Sequence, residues 1–369
     1  MKPYCSAPQT GLFLNVDGGI KYCCAGGYDI GNIKNKTIDE IYSSETHKKI
    51  IHYIKNDISP PDKFCHVCEK VEKSDPTQSQ RMHFNNDFVT DKEREWQWID
   101  IRWTNQCNLS CRHCDSYFSS EWARIRKEPI ESSNRDYFES VFEEIEKNLD
   151  SIKNVSLLGG EPFLQKQNLR LLDIISENPN IDIHIFTNLS HRLDKNLLYN
   201  KIKNLKNNIE FKLSIDGIGD QFEYVRAGAK WELILENIPK IKAVTETYFI
   251  KLVPVYCIWT ADSIEKYYEF ADKTNLTVMP LQGLGVINFG DSMLAYGHND
   301  KIRERFIKKL ESVNRSEFSS SLETLRNDKP VLNRNKEFLK NTLKVEKLVP
   351  PKYTFDKLWP ELYQLLLEE

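Results

Sequence analysis

The pattern of hydrophobic and polar positions changes near residue 96 and divides the chain into two parts. From there on, short runs of apolar and β-branched residues alternate with longer stretches of helical period. This alternation is typical of repeated strand–helix units around a parallel sheet, which can curl into a partial barrel. The predicted strands lie near 99–104, 155–158, 181–187, 210–215, 249–255 and 277–281.

The segments before residue 96 are shorter and more polar. Weak alternation on either side of a double glycine predicts a β-hairpin within the first 23 residues. Thr37 and Glu40 have the spacing of a capping box, which predicts a helix running towards Ile54. We therefore expect an α/β fold with a hairpin-plus-helix module (1–75), a linker (76–95), a partial (β/α)6 barrel (96–296) and a helical C-terminal extension (297–369).

Composition argues against several classes of function. Lys and Arg number 51 against 54 Asp and Glu, so no overall field favours nucleic acid. No apolar run reaches the roughly 18–20 residues that span a bilayer, and the N-terminus lacks a secretory pattern. A cytoplasmic location follows as the expectation. Cysteines there seldom form disulfides, and eight of the nine precede residue 115, which indicates metal binding.

One group of cysteines forms a compact motif directly after the first predicted strand. Cys107, Cys111 and Cys114 occur within eight residues, at the carboxyl end of a strand, where parallel barrels place their active sites. Thiolates are the soft ligands of iron–sulfur clusters, and three of them leave one iron of a four-iron cluster open. A zinc site is the alternative, although zinc prefers four ligands and cysteines two residues apart.

Cys-x3-Cys-x2-Cys after a first strand resembles the signature of the radical S-adenosylmethionine (SAM) superfamily. The resemblance implies a [4Fe-4S] cluster whose open iron chelates the amino and carboxylate groups of SAM and delivers an electron to its sulfonium. It also implies that His113, before the third cysteine, lies beside the adenine, where a histidine can stack as an aromatic residue does.

Further motifs resemble the SAM-binding positions of this superfamily. The sequence Gly159-Gly160-Glu161-Pro162 is similar to the Gly-Gly-Glu-Pro motif that receives the methionyl ammonium. Ser214 and Arg226 are expected to reach the SAM carboxylate, which suits a hydroxyl donor and a guanidinium. The other positions expected to line the SAM pocket are Asn188, Asp216 and segment 281–285.

Cys257 ends the fifth predicted strand, on the same rim. It is a candidate hydrogen-atom donor to a substrate radical. The alternative is that it is a small buried residue, as free cysteines commonly are.

The N-terminal cysteines resemble the twitch half of the SPASM/twitch auxiliary modules of radical SAM enzymes, over about residues 4–70. The module normally follows the barrel, whereas here it precedes it. The resemblance implies a second [4Fe-4S] cluster, and a structural zinc on the same thiols is the alternative. The expected ligands are Cys5, Cys23, Cys65 and Cys68, with Cys24 as an alternative to Cys23.

The predicted function is therefore radical SAM chemistry: reductive cleavage of SAM to a 5′-deoxyadenosyl radical, then abstraction of a substrate hydrogen. Auxiliary modules of this kind favour a peptide or protein substrate. A small molecule such as a sugar, nucleoside or amino acid is the alternative, and a metal-binding scaffold is the alternative outside enzymes. An external one-electron reductant such as flavodoxin or ferredoxin is the expected partner.

Overall fold

A computed structural model describes residues 4–74, 77, 79–130, 136–282 and 289–368, with the side chains of Ser74, Leu281 and Gln282 left out. The described residues group into two compact units. The first unit draws on 1–106, 131–185 and 197–209, and the second on 107–130, 186–196 and 210–369.

The strands of the described residues are short, with two to six residues each. They are β1 (Gly11–Leu14), β2 (Gly19–Lys21), β3 (Gly31–Asn32), β4 (Trp98–Ile101), β5 (Asn154–Leu157), β6 (Asp182–Thr187), β7 (Ile209–Leu213), β8 (Ile250–Leu252), β9 (Val255–Tyr256), β10 (Thr277–Val278) and β11 (Leu281–Gln282).

Helices separate most of these strands and make up the C-terminal part. They are α1 (Ala7–Thr10), α2 (Ile38–Tyr42), α3 (Glu45–Lys55), α4 (His66–Ser74), α5 (Gln80–Asp87), α6 (Ser120–Arg126), α7 (Phe138–Lys147), α8 (Gln167–Ile175), α9 (Leu197–Ile202), α10 (Asp220–Val225), α11 (Trp231–Lys242), α12 (Ile258–Asp262), α13 (Ile264–Thr274), α14 (Asp300–Val313), α15 (Ser319–Arg326), α16 (Arg334–Leu348), α17 (Phe355–Leu358) and α18 (Pro360–Leu367).

In the first unit the strand order is β3-β2-β1-β4-β5-β6. The hairpin β1–β2 and the pair β2–β3 are antiparallel, while β1–β4, β4–β5 and β5–β6 are parallel. The register aligns Leu12 with Ile99, Ile99 with Val155, and Val155 with Ile183, all of them buried. Strands covered on both faces need such apolar runs, and this row forms the centre of the unit.

In the second unit, β7, β8 and β10 pair in parallel, with Phe211 opposite Ile250 and Leu252 opposite Val278. Pro254 follows β8 and Pro280 follows β10. Because proline cannot donate a ladder hydrogen bond, both strands are interrupted there. The chain then resumes as β9 and β11, which pair with each other in a separate parallel ladder.

The α/β class predicted from the sequence is confirmed, with a strand at each of the six predicted positions. The hairpin is present, and the Thr37–Glu40 capping box forms as predicted. The helix expected to run towards Ile54 is instead two helices, because Ser44 accepts a hydrogen bond from the His47 amide and starts a second one. The segment 76–95, predicted as a linker, contains helix α5. The division into these four segments stays a prediction.

The helices after residue 296 bury one face each, as their charged, amphipathic sequence predicts. Phe338 of α16 lies at the centre of this packing. Its ring lies within 6.2 Å, between centroids, of the rings of Trp259, Phe289, His298 and Phe355. The helical extension is therefore part of the core of the second unit.

Among the described residues, no helix is both long and apolar enough to cross a membrane. All nine cysteines are free thiols, so none of them is used in a disulfide.

Candidate functional site

The three-cysteine loop follows β4, and the first turn of α6 holds one side of it. The Cys107 amide donates a hydrogen bond to the Ser120 hydroxyl at 3.1 Å. The same hydroxyl donates to the Cys107 carbonyl, also at 3.1 Å. The Trp122 indole donates to the Cys111 carbonyl at 2.8 Å. These contacts fix the backbone at two of the three cysteines.

The end of α10 and the residues directly after it hold the other side of the loop. The amide of Ser110 donates to the Ala227 carbonyl at 2.9 Å, and the amide of Arg112 donates to the Val225 carbonyl at 2.8 Å. The Arg112 side chain is buried, and its Nε donates to the Tyr224 carbonyl at 2.8 Å. The loop is thus held on both sides by buried hydrogen bonds, which is how a site keeps its ligands in place.

The three thiols lie close enough to affect one another. Burial raises the pKa of Cys114 well above its usual range, and the neighbouring Cys111 and Cys107 raise it further. Burial also raises the pKa of Cys111, and the nearby Arg226 guanidinium acts in the opposite direction by lowering it. Thiolates so buried need a positive partner, which a metal centre and a guanidinium both provide.

Arg226 and Asp216 form a buried ion pair beside this loop. The Arg226 Nε and Nη2 each lie 2.7 Å from the Asp216 Oδ2, while the Asp216 Oδ1 accepts a hydrogen bond from the Val255 amide at 2.8 Å. The Arg226 Nη1 lies 3.8 Å from the Cys111 sulfur. One guanidinium therefore joins the carboxylate after β7 to a thiol of the loop.

His113 and Asn188 also lie at this site. The His113 Nε2 is 3.6 Å from the Asp216 Oδ2, and burial lowers the pKa of His113 to about 4 although Asp216 opposes this. His113 is therefore neutral at pH 7. The Asn188 amide nitrogen is 3.9 Å from the Cys107 sulfur and donates to the Asn108 side chain at 3.0 Å.

Ser214 and Cys257 stand at the ends of strands in the second unit. Ser214 is half-buried, and its amide donates to the Thr187 carbonyl at 2.8 Å. Cys257 is buried directly before α12, with its sulfur 3.3 Å from the Thr260 hydroxyl oxygen. Burial raises the pKa of Cys257 to about 11, so it carries its proton at neutral pH. Segment 281–285 falls mostly within 283–288, outside the described residues.

The Gly159 to Pro162 turn lies in the first unit, at the end of β5. Gly159 has a φ of +110°, and a β carbon at Gly160 would lie 2.2 Å from the Gln106 carbonyl oxygen. Only glycine allows both this backbone conformation and this close approach. Glu161 is buried, and its carboxylate accepts a hydrogen bond from the Phe163 amide at 3.3 Å. The turn thus brings backbone groups and one carboxylate to the strand end.

The N-terminal thiols expected to form a second site meet at one cavity of the first unit. The cavity is small and partly open to solvent. Cys24 is not in its wall and is exposed, whereas its neighbour Cys23 is half-buried in the wall. The four cysteines that line the cavity are Cys5, Cys23, Cys65 and Cys68.

Sequence reasoning missed several residues that support these sites. Arg112 and the α6 residues Ser120 and Trp122 hold the thiol loop, but a hydroxyl or an indole six to eight residues after a motif carries no signal by itself. Arg81 lines the thiol cavity although it lies in the polar stretch interpreted as a linker. In that stretch Ser79, a typical N-cap residue directly before a helix, could have indicated that a helix begins there.

The donor atoms at both places fit iron–sulfur clusters. Thiolates are the protein ligands that such clusters take. Three thiols with a buried guanidinium beside them suit a cluster with one open position. Four thiols around one cavity suit a cluster that is fully held by protein, and they also suit zinc.

Comparison with known families identifies this arrangement. Residues 101–271 match the family model of the radical SAM superfamily, and residues 5–69 match a model described as an iron–sulfur cluster-binding domain, SPASM. The chain therefore carries a radical SAM domain, with a SPASM-type domain ahead of it. The radical SAM domain implies a [4Fe-4S] cluster and SAM, and the SPASM domain implies auxiliary iron–sulfur binding.

Solved structures of anSMEcpe are similar to this chain. Native anSMEcpe with bound AdoMet and Kp18Cys peptide is 18% identical, with a TM-score of 0.44 over 61% of this chain and 62% of that chain. The structure with Cp18Cys peptide is 17% identical, with a TM-score of 0.43 over 61% of each chain. The match thus spans about three fifths of anSMEcpe. No curated protein matches the sequence.

The buried ion pair makes a prediction about stability. In Asp216→Asn the buried Arg226 loses its counter-charge, while the amide oxygen can still accept from Val255. We expect the free energy of unfolding of the metal-free protein to fall by about 3–5 kcal/mol, measured by urea denaturation.

The matched control is Asp272→Asn, which breaks an exposed pair with Arg315 whose contacts measure 2.7 and 2.8 Å. Its loss should stay below about 1 kcal/mol, because solvent screens exposed pairs. Equal losses in the two variants would contradict a special role for the buried pair.

Proposed function

We propose that this chain cleaves SAM reductively and uses the resulting radical to take a hydrogen atom from a peptide or protein. When bound, a four-iron cluster at Cys107, Cys111 and Cys114 supplies the electron that splits SAM into methionine and a 5′-deoxyadenosyl radical. The observation that carries the proposal is the thiol loop after β4, held on both sides by buried hydrogen bonds, within the segment that matches the superfamily.

The residues around the loop have distinct proposed roles. Asp216 holds Arg226 so that its Nη1 faces the Cys111 sulfur, and the guanidinium can bind a carboxylate of SAM as well. Neutral His113 offers a ring for stacking beside the adenine. Asn188 positions Cys107 through its amide, and Ser214 offers a hydroxyl donor from the end of β7.

In the first unit, we assign the turn Gly159, Gly160, Glu161 and Pro162 to the methionyl ammonium. Its glycines let backbone carbonyls approach closely, and carbonyl and carboxylate oxygens are the acceptors that an ammonium needs. Cys257, protonated and buried, is proposed as a hydrogen-atom donor to a substrate radical. A thiol gives a hydrogen atom only when it holds its proton, and the raised pKa of Cys257 ensures this.

The second proposed centre is an auxiliary [4Fe-4S] cluster held by Cys5, Cys23, Cys65 and Cys68. Its support is the common cavity that these four thiols line and the match of residues 5–69 to an iron–sulfur domain. Free thiols and iron–sulfur chemistry suit the cytoplasm, where flavodoxin or ferredoxin would be the electron donor.

Iron content and SAM cleavage test the proposal together. Wild type reconstituted without oxygen should hold about eight irons, and the variant with alanine at Cys107, Cys111 and Cys114 about four. With dithionite, wild type should convert SAM to 5′-deoxyadenosine, and the variant should form none. Chromatography of the nucleoside gives the readout. Unchanged iron or unchanged 5′-deoxyadenosine formation in the variant would refute the assignment to these three cysteines. No 5′-deoxyadenosine from wild type would leave a metal-binding scaffold.

The neighbouring Cys23 and Cys24 provide a matched pair for the auxiliary site. Cys23→Ala removes a thiol from the cavity wall and should lose most of the auxiliary iron. Cys24→Ala removes an exposed thiol and should keep it. Both substitutions are made in the variant with alanine at Cys107, Cys111 and Cys114, so that only auxiliary iron is present. Iron and sulfide analysis then shows which of the two cysteines binds it. The reverse result would make Cys24 the ligand, and zinc in place of iron would show a structural zinc site.

The substrate class is tested by the amount of 5′-deoxyadenosine formed with different additions. The SPASM-type domain leads us to expect that a short peptide encoded next to this gene increases formation at least tenfold and changes in mass. Mixtures of free amino acids, nucleosides and sugars serve as the comparison. Stimulation by one of these mixtures alone would instead establish a small-molecule substrate.

A further inference from the structure

The wall of the thiol cavity contains a buried cation that the auxiliary site does not yet explain. Arg81 lies on the first turn of α5, lines the cavity beside the four cysteines and is 4% exposed. Its position is outside residues 5–69, which match the SPASM domain. Buried arginine is costly unless its charge and its N–H groups find partners.

Only part of that requirement is met within the protein. The Arg81 Nη1 donates to the Glu72 Oε2 at 3.4 Å, a long contact for a buried ion pair. The Nε and Nη2 are buried without an oxygen or nitrogen acceptor among the described residues, and a hydrogen bond from the Arg81 side chain to the Cys65 thiol lowers the pKa of that thiol. Leaving a buried donor without a full partner is costly, so a guanidinium with such donors beside the thiols favours a bound group that carries acceptor atoms.

Neighbouring contacts show that the side chain is held in this position. The Ser79 hydroxyl donates to the Glu72 Oε1 at 2.7 Å and also accepts from the Met82 amide at 3.2 Å, which caps α5. Glu72 and Ser79 are both buried. The start of α5 is thereby tied to the carboxylate that anchors Arg81, so the guanidinium is directed rather than free to turn to solvent.

The charge of Arg81 acts on three of the four thiols. Burial raises the pKa of Cys65 to about 11, and the guanidinium opposes that shift. It likewise opposes the effect of burial on Cys5 and Cys68. A positive group in this position favours the anionic state of these three cysteines.

We propose that Arg81 donates its Nε and Nη2 hydrogens to sulfur atoms of the auxiliary cluster and thereby sets its reduction potential. The proposal rests on the proposed function, in which these four cysteines hold an iron–sulfur cluster. A cluster on four thiolates is negatively charged and gains one more negative charge on reduction. N–H donors and a cation beside it stabilise the reduced form more than the oxidised form, so they raise the potential.

The test uses the full chain with alanine at Cys107, Cys111 and Cys114, so that only the auxiliary cluster is present. Glu72→Gln/Arg81→Gln removes the ion pair without changing net charge and avoids leaving either charge alone. Glu72→Gln alone keeps the N–H donors. Arg170→Gln removes an exposed arginine of the same unit, one that pairs with Glu139, and controls for charge.

Redox titration followed by electron paramagnetic resonance gives the midpoint potential in each variant. In the double variant we expect the equilibrium between oxidised and reduced cluster to shift at least tenfold towards the oxidised form. For a one-electron couple this corresponds to a fall of the midpoint potential by about 59 mV. Glu72→Gln and Arg170→Gln should show no fall. An unchanged potential in the double variant would overturn the proposal.

Metal content separates the remaining outcomes. Loss of iron in the double variant but not in Glu72→Gln, with an unchanged circular dichroism spectrum, would support the N–H donation, because the cluster then needs those donors to stay bound. Equal loss in both variants would show a role in folding and overturn the proposal. Zinc instead of iron in the parent would refute the auxiliary cluster itself, before any potential is measured.

Discussion

The arrangement of the second unit depends on one buried interaction, the ion pair of Asp216 and Arg226. A buried charge is tolerated only when an opposite charge and hydrogen bonds compensate for the lost water. Asp216 satisfies this with both oxygens, one on Arg226 and one on the Val255 amide. Arg226 in turn points its remaining nitrogen at Cys111. The carboxylate therefore links the ends of two strands to the thiol loop, and moving any one of them would leave a buried charge or donor unsatisfied.

The first unit also contains a buried carboxylate–arginine pair, but there the carboxylate binds the guanidinium less completely. There too a carboxylate anchors an arginine beside cysteine thiols, Glu72 with Arg81. In the second unit the guanidinium makes short contacts of 2.7 Å with its carboxylate, whereas in the first it makes one contact at 3.4 Å and its side chain also donates to the Cys65 thiol. In both places burial disfavours thiolates and a guanidinium offsets that effect. The Arg81 donors that Glu72 does not bind are the reason to expect that Arg81 acts on the bound group itself.

Proline determines where the later strands stop. Pro254 and Pro280 interrupt the two strands predicted as continuous, and each resumes as a short strand in a separate ladder. Cys257 directly follows β9 and lies at the start of α12, where it contacts Thr260. The same break leaves the Val255 amide free of the ladder of β8, and it is this amide that Asp216 binds. A local backbone constraint thus contributes directly to the buried pair.

The sequence by itself determined the α/β class, the six strand positions, the hairpin and the capping box, because these follow from local period, turn residues and spacing. It also determined the three-cysteine motif, whose chemistry depends on residues only a few positions apart. Only the tertiary structure decided that Cys23 and not Cys24 enters the cavity, that Arg226 pairs with Asp216, and that a segment interpreted as a linker delivers Arg81 to the thiols. These features depend on which side chains are buried together across long stretches of chain, and burial of charge is a property of packing that no local pattern records.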